Sequence, residues 1–151
     1  MTVNKIDVAN APIRAGSRYP KPYDEPCQNK LRRRLGTAAG LKTLGINLLE
    51  LEPGAWSSQL HWHTLAEEFV LVLEGEVVLV TGGGEELLRA GDCAGFTAGD
   101  PNGHHLQNRS ERRAIILEVG PANLAHDESF YPGIDLKAIA SGYSHGDGTP
   151  Y

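Results

Sequence analysis

GAWSSQLHWHTLAEEFVLVLEG, residues 54–75, is the stretch whose reading decides the fold. His61 and His63 are separated by one residue, so in a strand, where side chains alternate with period two, both imidazoles point to one face. Glu68 lies five residues beyond His63, past the bend that Thr64–Glu67 supplies, and opens the dense β-former run EFVLVL. On that strand Glu68, Val70 and Val72 share one face and Phe69, Leu71 and Leu73 the other. A carboxylate thus heads an otherwise apolar face, where it is costly unless a cation lies beside it. A helix would not bring the two histidines and the glutamate together in this way.

Working outward, short β-forming runs alternate with turn formers. Lys30–Leu35 and Thr43–Glu52 read as strands, the second with Leu44, Ile46, Leu48 and Glu50 on one face. Pro53-Gly54 turns the chain into a strand over Ala55–His63. After Glu68–Leu73, Val77–Thr81 and Glu85–Arg89 flank Gly82-Gly83-Gly84, a hairpin turn. Cys93–Phe96, His104–Arg109 and Ala114–Val119 complete the series. Turn signals recur every eight to twelve residues and no segment has helical amphipathicity, which is the pattern of an all-β sandwich or barrel.

The flanks behave differently. Residues 1–29 hold Pro12, Pro20, Pro22 and Pro26 without any period, and read as an extended N-terminal arm carrying Ile6, Val8, Ile13, Tyr19 and Tyr23 along the domain or a second subunit. The barrel occupies 30–120. Residues 121–151 read as a C-terminal tail packed on it, with a helical turn expected at Leu136–Ala140 and a trailing arm from Tyr143.

At 151 residues the chain is long enough for one domain with its own core. The formal net charge of −5 argues against a nucleic-acid partner. The one basic run, Lys30 to Arg34, reads as a solvated strand face or an anion contact. Two cysteines are too few for a disulfide framework, no run approaches a membrane span, and no signal-peptide core is evident, so a cytoplasmic protein is expected.

His104, Leu106 and Asn108 also alternate on one face, and His104 follows the glycine-bearing loop 99–103. His105 should point the other way. HxH alone is equally the pattern of two hydrogen-bonded, partly buried histidines. Imidazole and carboxylate without nearby thiolate suit a divalent first-row metal, and ligands that leave coordination positions open admit substrate.

The stretch from Gly54 to Gly75 resembles the first motif of the cupin superfamily: glycine, spacer, HxH, a short gap, Glu, six residues, Gly. Gly91–Gly99 followed by His104 and Asn108 resembles the second. The spacing of these motifs selects Glu68 over Glu67 and His104 over His105. Thr97 stands where the family usually has proline, and the Gly99–His104 loop is two residues longer than usual. The flanks, including the tail HGDGTPY, are similar to single-domain bacterial cupins often labelled sugar-phosphate isomerases.

The resemblance implies a double-stranded β-helix, a jelly-roll-like barrel, enclosing an ion held by His61, His63, Glu68 and His104. Gln59, Val70, Leu106 and Asn108 are the expected pocket residues. It further implies zinc, manganese, iron, nickel or cobalt as cofactor, a small-molecule substrate and a homodimer. An isomerase acting on a sugar or sugar phosphate would need a base, for which Glu50 is the one candidate. Phosphate would need an inward cation from Arg32, Arg34 or Lys42. Iron-dependent dioxygenase chemistry and non-catalytic small-molecule binding are the alternatives.

Overall fold

The computed structural model describes residues 4–151, so Met1, Thr2 and Val3 of the N-terminal arm lie outside the described residues. Among the described residues thirteen antiparallel strands form two facing layers. One layer is a six-stranded sheet made of β1 (Ile13–Ala15), β2 (Lys30–Arg34), β3 (Leu44–Leu51), β10 (Ala114–Pro121), β5 (Glu68–Glu74) and β8 (Cys93–Phe96), in that order. The other comprises β7 (Gly84–Arg89), β6 (Glu76–Thr81) and β9 (His104–Gln107), then β4 (Trp62–His63), β11 (Ser129–Phe130), β12 (Lys137–Ile139) and β13 (Gly142–Ser144). Its two parts are joined by a single bridge between His61 and His104. The expected all-β class is the observed one.

Leu49, Leu51, Val70, Val72, Ala114 and Ile116 from the first layer meet Val77, Leu79, Leu88 and Leu106 from the second to form the core. Cross-strand register sets this face: Ile116 lies opposite both Leu49 and Val72, and Glu118 opposite both Asn47 and Val70. The core closes one end of the barrel. Towards the other end the same inward rows turn polar, and a cavity opens. Gly75 makes the tight connection from β5 to β6. Its φ is +76°, and a Cβ there would sit 2.9 Å from the Arg113 carbonyl oxygen, so only glycine fits.

Several expectations need correction. The strand read over Ala55–His63 is mostly irregular, with pairing confined to Trp56, His61 and β4: Ser57 Oγ takes the Leu106 N–H of β9, and the Gln59 amide reaches the Tyr23 carbonyl of the arm. Leu136–Ala140 is no helical turn; Lys137–Ile139 is strand β12, paired with both β11 and β13. The segment from Tyr143 begins inside β13, and the Tyr151 hydroxyl donates to the Asp135 carbonyl at 2.5 Å, so the tail folds back. A four-residue helix, α1 (Leu35–Ala38), fills the turn before β3. The N-terminal arm contributes β1 to the edge of the first layer, its Arg14 directly opposite Arg32 of β2.

Candidate metal centre and the cavity around it

Three loosely connected elements bring the histidines and Glu68 together. His61 and His104 face each other across the bridge that joins the two halves of the second layer, with ring centroids 4.7 Å apart. His63 follows on β4. Glu68 comes from the facing layer, as the first residue of β5. All three imidazoles present Nε2 to the same atom, Glu68 Oε2, at 2.7 Å for His104, 3.4 Å for His63 and 3.6 Å for His61. Ligand atoms of His61, Glu68 and His104 lie within 4.8 Å of one another, a group able to hold a metal ion; His63 stands outside that tight set and approaches through Glu68.

The far sides of two rings show how they are oriented. His61 Nδ1 lies 2.9 Å from the Gln59 carbonyl oxygen, and His63 Nδ1 lies 2.7 Å from Asp127 Oδ2. Carbonyl and carboxylate oxygens only accept, so each Nδ1 carries a proton and Nε2 is the ring nitrogen turned to the centre. Metal-binding histidines are held in this way by an acceptor behind the ring. Phe96 stacks on His104, with ring centroids 3.6 Å apart, and fixes the third ring.

Charge states agree with a cation site. Burial opposes ionisation of Glu68, but hydrogen bonds from His104 and His61 and the neighbouring imidazoles outweigh it and hold the carboxyl well below the usual range. Burial lowers the pKa of His104, more than the Glu68 carboxylate raises it. An ionised carboxylate flanked by imidazoles is the donor set a divalent ion requires. The residues present fit such an ion; no thiolate competes, since Cys27 is buried elsewhere and Cys93 is exposed.

A cavity of about 470 Å³ opens beside the cluster. Val70 and Leu106 line it. Gln59 and Asn108 do not: the Gln59 amide donates to the Tyr23 carbonyl, and fully buried Asn108 donates to Leu51 and Arg112 carbonyls, so both hold loops together. Glu50 also lies away from the cavity, on the outer face of β3, paired with Arg33 at 2.9 Å and Arg113 at 3.1 Å. The run NLLEL at 47–51 offers leucines to both faces, and a one-residue slip reverses every side chain. Of the expected inward cations only Arg32 lines the cavity, gripping Glu118 at 2.7 and 2.9 Å.

Four groups in the cavity wall escaped the sequence reading: Arg14 and Arg18 from the arm, Glu118 from β10, and Asp127 from the tail. Asp127 is built in firmly. Besides His63 it accepts the Leu65 and Ala66 backbone N–H groups at 2.9 and 3.1 Å. Burial resists its ionisation, yet these donors and His63 hold its pKa low. Its partners lie more than sixty residues earlier in the chain, and no local spacing signals that. Glu118 had a weak signal, an acid within the apolar run AIILEV at 114–119.

The fold is thus a two-layer β-barrel with, at one end, an inward His/Glu group able to hold a metal ion beside a cavity. The cupin domain family matches residues 47–120. A solved structure from Silicibacter pomeroyi, described as a sugar phosphate isomerase from a cupin superfamily, is 42% identical with a TM-score of 0.90, covering 97% of this chain and 96% of that one. The chain therefore belongs to the cupin superfamily. An oxalate decarboxylase from Arthroderma benhamiae is 37% identical over 98 residues, 58% of this chain and 21% of that protein. The chain thus spans about a fifth of the length of the curated relatives it matches. The polyketide cyclase RemF from Streptomyces resistomycificus, 19% identical with a TM-score of 0.66 over 81% of each chain, shares the fold.

Proposed function

We propose that this chain is a metal-dependent enzyme acting on a small oxygen-rich molecule of the sugar type, phosphorylated or not, by isomerase-like chemistry. The observation that carries the proposal is the convergence of three Nε2 atoms on one ionised carboxylate oxygen at the mouth of a polar cavity. In this reading His61, Glu68 and His104 hold the ion, and His63, steered by Asp127, is the fourth ligand. Such an ion, when bound, supplies Lewis-acid stabilisation to a carbonyl or enediolate oxygen.

The chain's own groups supply the rest. Glu118 is the cavity carboxylate not committed to the histidines, on the same inward face as Val70 and two residues before Gly120, beside Glu68. Arg32 holds and aims it through two hydrogen bonds, which suits a group that takes a proton from one carbon and returns it to the next. Half-buried Tyr19 and buried Tyr131 hold their protons, because desolvation raises both pKa values, and so serve as hydroxyl donors to substrate oxygens. Support for the substrate class comes from the Silicibacter pomeroyi protein, which is similar along nearly the whole chain.

A second reading draws on the 37% identity to oxalate decarboxylase: the same centre acting on a small carboxylate. Proton exchange at carbon-bound positions, followed by NMR in deuterated water across sugars and sugar phosphates, separates the two. Exchange that depends on Glu118 and on metal supports the isomerase. Carbon dioxide release from oxalate without exchange supports the second reading, and saturable binding with neither reaction leaves a carrier.

A further inference from the structure

The cavity wall contains four cations and three carboxylates, and every carboxylate has a partner. Glu68 faces the three imidazoles, Asp127 holds His63 and two backbone N–H groups, and Glu118 is gripped by Arg32. That leaves Arg14, Arg18 and Lys30, none of which makes an ion pair with a carboxylate among the described residues. Resting on the reading of this cavity as a substrate site, we propose that Arg14, Arg18 and Lys30 form an anion subsite that takes the phosphoryl group of a phosphorylated sugar.

Geometry supports the assignment at each residue. Lys30 is 8% exposed and donates to one backbone acceptor, the Ser57 carbonyl at 2.6 Å. An ammonium has three donors, so a buried lysine with a single neutral acceptor is left largely uncompensated. Burial, and then the charge of Arg32, lower its pKa to about 8, which shows the cost of keeping it charged without an anion. Arg14 sits directly opposite Arg32 in the β1–β2 register, and like charges so placed repel. Arg18 lies on the same wall, and its charge is one of those acting on Arg14.

Such a cluster is unfavourable in the empty protein and becomes favourable around a dianion. Guanidinium forks bind phosphate oxygens in pairs, and an ammonium adds a point charge. Arg32 links the two ends of the cavity: it shares the Ser57 carbonyl with Lys30 at 3.2 Å and is also influenced by Glu68. A substrate could therefore place its phosphoryl group on the arm and its reacting oxygens at the His/Glu centre.

The test uses full-length, chelator-treated protein, so that phosphate cannot ligate a metal. Inorganic phosphate is titrated calorimetrically at constant ionic strength against the wild type and an R14Q/R18Q variant, whose substitutions lie in the exposed arm. Saturable binding that weakens about tenfold or more in the variant is expected, from the loss of charged hydrogen bonds. A K30Q variant, checked for folding by circular dichroism, should weaken binding further. No saturable phosphate binding, equal binding by wild type and R14Q/R18Q, or tighter binding of oxalate than of phosphate would overturn the proposal. Metal content after reloading, measured separately, reports on the His/Glu centre; its failure leaves the phosphate result interpretable.

Discussion

The two walls of the cavity are opposites in how charge is treated. At the His/Glu centre charge and donors are matched: Nδ1 of His61 by a carbonyl, Nδ1 of His63 by Asp127, and Glu68 by three rings. On the arm wall Arg14, Arg18 and Lys30 crowd together, and none is ion-paired with a carboxylate among the described residues. The first arrangement is rigid and pre-aimed, as a metal site must be to bind at its own geometry. The second stores repulsion that only an incoming anion relieves. Pre-organisation and unpaired charge are thus two ways for a fold to make room for a ligand.

Breaking the first wall should have the largest effect. An E68Q/H104A variant should retain almost no transition metal, against near-stoichiometric wild type, while its far-ultraviolet circular dichroism stays unchanged; elemental analysis decides it. Retention at the wild-type level would mean that the ion is held elsewhere. Next is the acceptor behind His63. D127N should weaken metal binding by about 10–100-fold, the usual cost of losing a partner behind a ligand. Competition with a fluorescent chelator measures this, and an unchanged affinity would remove His63 from the ligand set.

The arm wall makes a prediction in pH. Lys30 has a pKa of about 8 when folded, against an ordinary value of 10.5. Between these values the unfolded chain binds the extra proton and the folded chain does not, so stability rises with pH across that window. The gain relative to K30M should approach roughly 3 kcal/mol, at about 1.36 kcal/mol per unit. Urea unfolding at pH 8 and pH 10.5 measures it, and saturating phosphate should flatten the difference by restoring the charge. A parallel pH response in K30M would show that the slope has another source.

The smallest effect is expected outside the cavity. E50Q weakens two partly exposed pairs, to Arg33 and Arg113, and should cost at most about 1 kcal/mol of stability. Turnover and metal content should be untouched; a large loss of turnover would return Glu50 to the list of bases.

Much of this molecule is written locally. The HxH pair, Glu68 before an alternating apolar run, and His104 after a glycine loop each depend on the period-two geometry of a strand, and each took its place near the centre. Inward and outward faces of β5 were equally legible, with Val70 and Val72 buried and Phe69 and Leu73 exposed. Legibility failed where side-chain chemistry was ambiguous. Leucines on both faces of β3 hid its register, and polar Gln59 and Asn108 looked like pocket residues although their amides tie loops together.

By itself the sequence determined the all-β class and the residues that could meet a metal, because spacing within a strand and across one bend is set by covalent geometry. Tertiary structure alone decided which groups surround them. Strand pairing set Arg14 of the arm beside Arg32, and folding of the tail brought Asp127 behind His63. The same packing turned Lys30 into the cavity and Glu50 out of it. Those contacts join segments distant in the chain, and their energy depends on burial and on opposing charges that no local pattern records.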